Sequence, residues 1–197
     1  MESRWFTGKL IYKQMKKMKA LVFFMGIILT SNFAFAQKYS TKTGKITFEA
    51  SVPLFEDVYA ENNNSTAIMN ADTGDIASLA MVNGFTFKVS LMQEHFNENY
   101  AESAKYPKTS FKGKIQNFNK SDLSAKPKTY TISGTLNFHG VDNAVQSMAN
   151  IYLKDDKIVV QGKFVAKTAD YKVKIPKMVA AKVAENVNVN YNFLLQK

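Results

Sequence analysis

Few residues in this chain have the type and spacing that chemistry requires. Its two histidines, His95 and His139, sit in neither an H-x-x-H nor an H-E-x-x-H setting. His95 stands beside Glu94 and near Glu98, a weak metal corner that reads more simply as a solvated surface. His139, between Phe138 and Gly140 at a strand end, reads as a turn histidine bonded to backbone. Asp170 before Tyr171 and the Asp155-Asp156 pair look like turn residues and not like an acid and base in partnership. There is no G-x-S-x-G elbow and no phosphate-binding glycine loop. The absence of cysteine removes disulfides, thiol catalysis and thiolate metal sites together. No motif asks for a cofactor, so the chain is expected to bind and not to catalyse.

The chain opens with a segment that is expected not to join the fold. Lys9, Lys13, Lys16, Lys17 and Lys19 precede an apolar run from Ala20 to Leu29, and Ala34-Phe35-Ala36 follows just before Gln37. That order is a secretory signal peptide, with cleavage expected after Ala36 and a periplasmic or secreted destination. The run is short for a permanent membrane helix, and no cysteine follows it to carry a lipid. Met15 and Met18 are alternative starts that would leave the leader intact. The leader would take six of the 26 Lys and Arg and one of the 16 acids, leaving residues 37–197 near +5. The remaining lysines are scattered singly, as in Lys112, Lys114, Lys126 and Lys128, which is the habit of a solvated strand face. Nucleic-acid binding is not expected; transient contact with an anionic membrane surface stays open.

From Lys45 onward the dominant period is two. Ile46, Phe48, Ala50 and Val52 alternate with Lys45, Thr47, Glu49 and Ser51. A polar Asn62-Asn63-Asn64 turn, then Thr66 to Asn70, Asp75 to Val82 with Phe85 to Val89, Lys108 to Phe118 and Lys128 to Phe138 continue the pattern. Ala144 to Leu153, Lys157 to Lys167 and Val187 to Leu195 complete it, with a tight hairpin at Asp155-Asp156. Two segments depart from it. Leu91 to Ala104 carries Leu91, Met92, Phe96 and Tyr100 near helical spacing, and Pro176 to Glu185 reads as a short helix leading to the last strand. The expectation is one all-β domain of about eight antiparallel strands with one or two short helices.

Three strands share an apolar-x-Gly-x-apolar signature, at Phe111 to Ile115, Ile132 to Leu136 and Val160 to Phe164. Inward glycines in equivalent places favour a barrel over a sandwich, because they let tilted strands bend or leave room beside bulky neighbours. On the expected register Ile132, Gly134, Leu136 and Phe138 point inward while Ser133, Thr135 and Asn137 point out. The inward set is aromatic: Phe48, Phe85, Phe87, Phe111, Tyr130, Phe138, Phe164, Tyr191 and Phe193. A filled core and a ligand cavity both account for that composition.

Tyr106-Pro107-Lys108-Thr109-Ser110-Phe111 resembles the KYP-x-x-x-F signature of the YceI-like family. Gly134-Thr135-Leu136-Asn137-Phe138-His139-Gly140-Val141 is similar to its G-x-L-T-h-x-G-V strand and turn, and Asp170-Tyr171-Lys172-Val173 to its D-(F/Y)-G-(I/V) element. The three occur in order from about Tyr39 to Leu195. Residues Tyr39 to Gly74 diverge, Asn137 stands where the family often has threonine, and Lys172 where it often has glycine. The resemblance implies an eight-stranded, lipocalin-like antiparallel barrel over residues 37–197, holding a long apolar lipid such as a polyisoprenoid. The candidate ligand-binding residues are then Phe48, Phe87, Phe111, Tyr130, Ile132, Gly134, Leu136, Phe138, Phe164, Tyr191 and Phe193. A solid-core interaction barrel and a lipid-modifying enzyme are the competing readings. If the inward glycines make room for ligand, Gly134→Leu is expected to spare the fold and block binding.

Overall fold

The computed structural model describes residues 37–197; the leader expected at residues 1–36 lies outside them. Nine strand segments follow one another: β1 (Lys38–Glu49), β2 (Tyr59–Asn70), β3 (Asp75–Met81), β4 (Thr86–Phe87), β5 (Lys108–Ile115), β6 (Lys128–Phe138), β7 (Val141–Lys154), β8 (Lys157–Lys167) and β9 (Asn186–Leu195). Every pairing is antiparallel. The order runs β1-β9-β8-β7-β6-β5-β3-β2, and β1 pairs back onto β2, so eight strands close a barrel. The two-residue β4 adds to β2 beyond β3, across a one-turn interruption at Val82–Gly84. Closure leaves the long strands no free edge to pair with another chain.

Turn chemistry fixes the long hairpins. β6 and β7 join through His139-Gly140 and β7 and β8 through Asp155-Asp156, and all four residues have positive φ. Two such residues in a row make a turn that matches the twist of the flanking strands. Lys154 pairs with Lys157 as the Asp155-Asp156 hairpin implied, and Phe138 pairs with Val141, so β7 begins three residues before the Ala144 expected from sequence.

Inward and outward residues alternate along every long strand, and the inward set changes character partway down. In β9, Phe193 and Leu195 are buried while Val187, Val189 and Tyr191, on the same face, are half-buried. In β6, Tyr130 and Ile132 are buried and Leu136 and Phe138 half-buried. One end of the barrel is packed solid around Met69, Ile115, Ile151, Ile158, Val160 and Leu195. At the other end the inward side chains keep accessible surface because they border open space.

Two local expectations are corrected. Asn62-Asn63-Asn64 is not a turn but lies inside β2, where β1 and β2 shift register around Gly44. The Asn62 side chain, 1% exposed, replaces the disrupted ladder: Nδ2 donates to the Met81 carbonyl at 3.1 Å and Oδ1 accepts from Asn64 N at 2.9 Å. Pro176 to Glu185 forms turns and a single 3-10 turn at Ala180–Lys182 in place of the expected helix. The insertion at Leu91 to Ala104 does contain helix, α1 (Ser90–His95), continued by one wider turn at Phe96–Tyr100.

Candidate functional site

Residues at the open end of the barrel surround a cavity of about 490 Å³, within the usual range for small-molecule sites. Its floor is the top of the solid core, where Ile76, Ile132 and Phe193 meet it. Its walls are the upper inward residues of the strands, among them Ile46, Phe48, Leu136, Val145, Phe164 and Val189. Two insertions between strands form the rim. From one, Met92, Phe96 and Tyr100 reach the cavity at intervals of four residues, the spacing of one helical face. From the other, Val173, Ile175, Val179, Lys182 and Val183 line it, while the neighbouring Lys172, Lys174 and Lys177 are exposed.

Phenylalanines gather on one side of the mouth. The Phe48 ring lies 5.4 Å from Phe85, 5.7 Å from Phe87 and 5.3 Å from Phe96, centre to centre, in tilted and edge-on geometries. Such pairs add stability beyond the area they bury, so strand β1, segment β4 and the turn after α1 are held as a unit.

Nine of the eleven candidate residues line the cavity: Phe48, Phe87, Phe111, Ile132, Leu136, Phe138, Phe164, Tyr191 and Phe193. Tyr130 does not. It packs in the solid end against Phe118, and its hydroxyl donates to Asp122 at 3.4 Å. Gly134 does not line it either. It pairs directly with Gly113 of β5, and the tip of the Phe111 ring lies over both glycines. A Cβ at Gly134 would overlap the Lys112 carbonyl oxygen and lie 2.5 Å from Gly113 Cα. The glycine is therefore needed by the backbones themselves, and the expectation that Gly134→Leu spares the fold is corrected. Gly162 is used similarly, with the Tyr191 phenol across it.

The lining is mostly apolar, with the exposed side chains of Glu56, His95, Lys167 and Lys182 at the mouth, and several of its hydroxyls are bonded within the wall. Ser147 Oγ donates to the Lys163 carbonyl at 2.9 Å and lies 2.7 Å from the Tyr191 hydroxyl. Burial raises the Tyr191 phenol above its ordinary pKa, against the opposing effect of its hydrogen bond with Ser147. Thr109 donates to the Asn137 carbonyl at 2.8 Å. Tyr171 differs. Its hydroxyl is buried without a hydrogen-bond partner among the described residues, and desolvation pushes the phenol up to about 12.

His139 sits behind the wall. Its Nδ1 donates to the Tyr171 carbonyl at 3.0 Å, Nε2 lies 2.6 Å from Glu102 Oε2, and its ring meets Tyr106 edge-on. It clamps the β6–β7 turn to both rim insertions, which extends the backbone-bonded turn histidine read from sequence. His95 is exposed at the mouth. Among the described residues no three His, Asp or Glu side chains gather to hold a metal.

The family model for the YceI-like domain matches residues 30–195, and the chain belongs to that family. Its fold is similar to a polyisoprenoid binding domain from Saccharophagus degradans implicated in plant cell wall breakdown. That likeness has a TM-score of 0.69 at 15% identity, covering 81% of this chain and 97% of the other. BcnA of Burkholderia cenocepacia aligns with a TM-score of 0.65 at 15% identity over 78% of this chain and 96% of its own. The Campylobacter jejuni YCEI protein aligns with 0.56 at 15% identity over 74% and 90%. At these identities the likeness is one of fold. A search of curated proteins finds no match.

Proposed function

We propose that this protein is a non-catalytic carrier that holds one long apolar lipid, a polyisoprenoid or a chain of similar build, in the open half of its barrel. The observation that carries the reading is the apolar cavity of about 490 Å³ set into a barrel whose other half is solid. Protein interiors are otherwise close-packed, so an apolar space of this size has a use. Each methylene that enters it gains about 0.8 kcal/mol, offset by the ordering of a flexible chain. Membership in the YceI-like family, and the polyisoprenoid binding of the Saccharophagus domain, support the ligand class.

The carrier works outside the cytoplasm, after cleavage behind Ala36, with its mouth turned to an anionic membrane. Lys172, Lys174, Lys177 and Lys182 are exposed on the rim with no acidic residue between Asp170 and Glu185. Leu54 and Met178, 102% and 91% exposed, stand on the loops that border the same mouth. Cations beside exposed apolar side chains suit the headgroup region of an anionic bilayer.

Native mass spectrometry of protein purified from its own envelope tests the carrier reading. A bound lipid-sized mass, with a mature N-terminus at Gln37, is expected; a consistently empty protein contradicts it. Sedimentation with phosphatidylglycerol vesicles, weakened by salt and absent with phosphatidylcholine alone, tests the docking.

A further inference from the structure

Two lysines that line the cavity stand on one corner of its mouth. Lys167 ends β8, where it pairs with Asn186 of β9. The next residue, Thr168, donates its backbone N–H to the Glu185 carbonyl at 3.1 Å. Lys182 lies three residues before Glu185 in the insertion that this bond fastens. Its own N–H donates to the Val179 carbonyl at 2.8 Å, and Ala184 N donates to the Ala50 carbonyl at 2.8 Å. Both lysines are exposed, and both are carried on backbone that the barrel ties down.

Their charges are unspent. Among the described residues neither Lys167 nor Lys182 forms an ion pair with a carboxylate, whereas Lys45 and Lys128 each lie 2.6 Å from one, on Glu61 and Asp122. The acids nearest to the two lysines along the chain, Asp170 and Glu185, do not line the cavity. Glu56, from the loop between β1 and β2, is the one carboxylate that does. The mouth thus sets two lysines against one acid around an apolar space.

Resting on the carrier reading, we infer that the ligand is an anionic single-chain amphiphile. Its tail fills the cavity, and its carboxylate or phosphate head stays at the mouth beside Lys167 and Lys182. The lysine stems cover apolar wall while their ammonium groups remain in water. A head held there keeps its solvent on the open side, so it gains two cations without the cost of burying its charge. An uncharged head gains nothing from that pair.

The test offers tetradecanoate, tetradecyl phosphate and tetradecan-1-ol from cyclodextrin to delipidated protein at about pH 8, where both acids are ionised. Affinities are read by displacement of an uncharged fluorescent alkyl probe. Wild type is expected to hold at least one anion about fivefold more tightly than the alcohol, the size of two exposed charge contacts. The leading anion identifies the head, and high salt should erase the preference. Replacing both lining lysines, Lys167→Met with Lys182→Met, should leave alcohol binding unchanged and remove the preference. Lys154→Met with Lys163→Met subtracts the same charge at exposed residues that do not line the cavity, and should keep it. A wild type that binds the alcohol as tightly as both anions overturns the inference and leaves the carrier reading standing. So does a preference lost equally in both double variants, or alcohol binding lost with the lining lysines. If none of the three compounds binds wild type, the carrier reading falls and the inference with it.

Discussion

The two halves of the barrel are built from the same strands and the same alternation, yet one is a core and the other a container. At the closed end, Ile151, Ile158 and Leu195 are at most 1% exposed and fill the space between strands. At the open end, Leu136, Phe164 and Val189 occupy the same inward face and border a cavity. Period two says only which face a residue takes; how far across the barrel it reaches is set by what stands opposite. Small residues such as Ala67 and Ala149 sit among large aliphatic ones in the solid half. In the open half the phenylalanines pack sideways against one another along the wall.

Perturbing each half in turn should separate the two roles. Gly134→Leu is expected to cost the most, at least about 4 kcal/mol, because the new side chain meets backbone across the β5–β6 pair. Ser133→Leu, one residue along and facing out, should stay within about 0.5 kcal/mol. Urea unfolding of the two proteins measures the contrast; equal midpoints would show that the strands can separate to admit a side chain. Ile151→Ala, in the solid half, is expected to cost about 3 kcal/mol through the transfer and void terms together. Phe164→Ala, in the open half, should cost about 1 kcal/mol in the delipidated protein, since it widens a space already present. It should instead alter which chain lengths compete for the cavity. The smallest effect expected is a gain: Lys172→Gly should raise stability by about 0.5 kcal/mol. Relief of the left-handed backbone slightly outweighs the added freedom of the unfolded chain.

The regular part of this architecture was legible from sequence because its signals are local. β6 and β8 begin and end at the residues that alternation marked, and Asp155-Asp156 turns between β7 and β8 as read. The failures fall where a distant partner decides. Asn62 reads as a turn residue, but the Met81 carbonyl nineteen residues away makes it a strand residue at a bulge. Gly134 reads as vacant space, but that space holds the Phe111 ring and the facing backbone. Pro176 to Glu185 has the apolar spacing of a helix. Val179 and Val183 reach the cavity from turns instead, tied to the barrel where Ala184 N donates to the Ala50 carbonyl at 2.8 Å. Among rim residues missing from the candidate list, Met92, Phe96 and Tyr100 were visible as a helical face on a polar insertion. Nothing local distinguished Lys167 and Lys182 from the lysines scattered over a solvated face.

The central claim is that ligand occupies the open half and stops at the floor. Methyl-labelled protein with bound tetradecanoate tests it through nuclear Overhauser effects from the alkyl chain. Cross-peaks are expected to the methyls of Leu136, Val145 and Val189, which line the cavity, and none to Ile151, Ile158 or Leu195, which lie in the solid core. Cross-peaks confined to outward methyls such as those of Val165 and Leu194, both exposed, would place the chain on the barrel's surface and contradict the account.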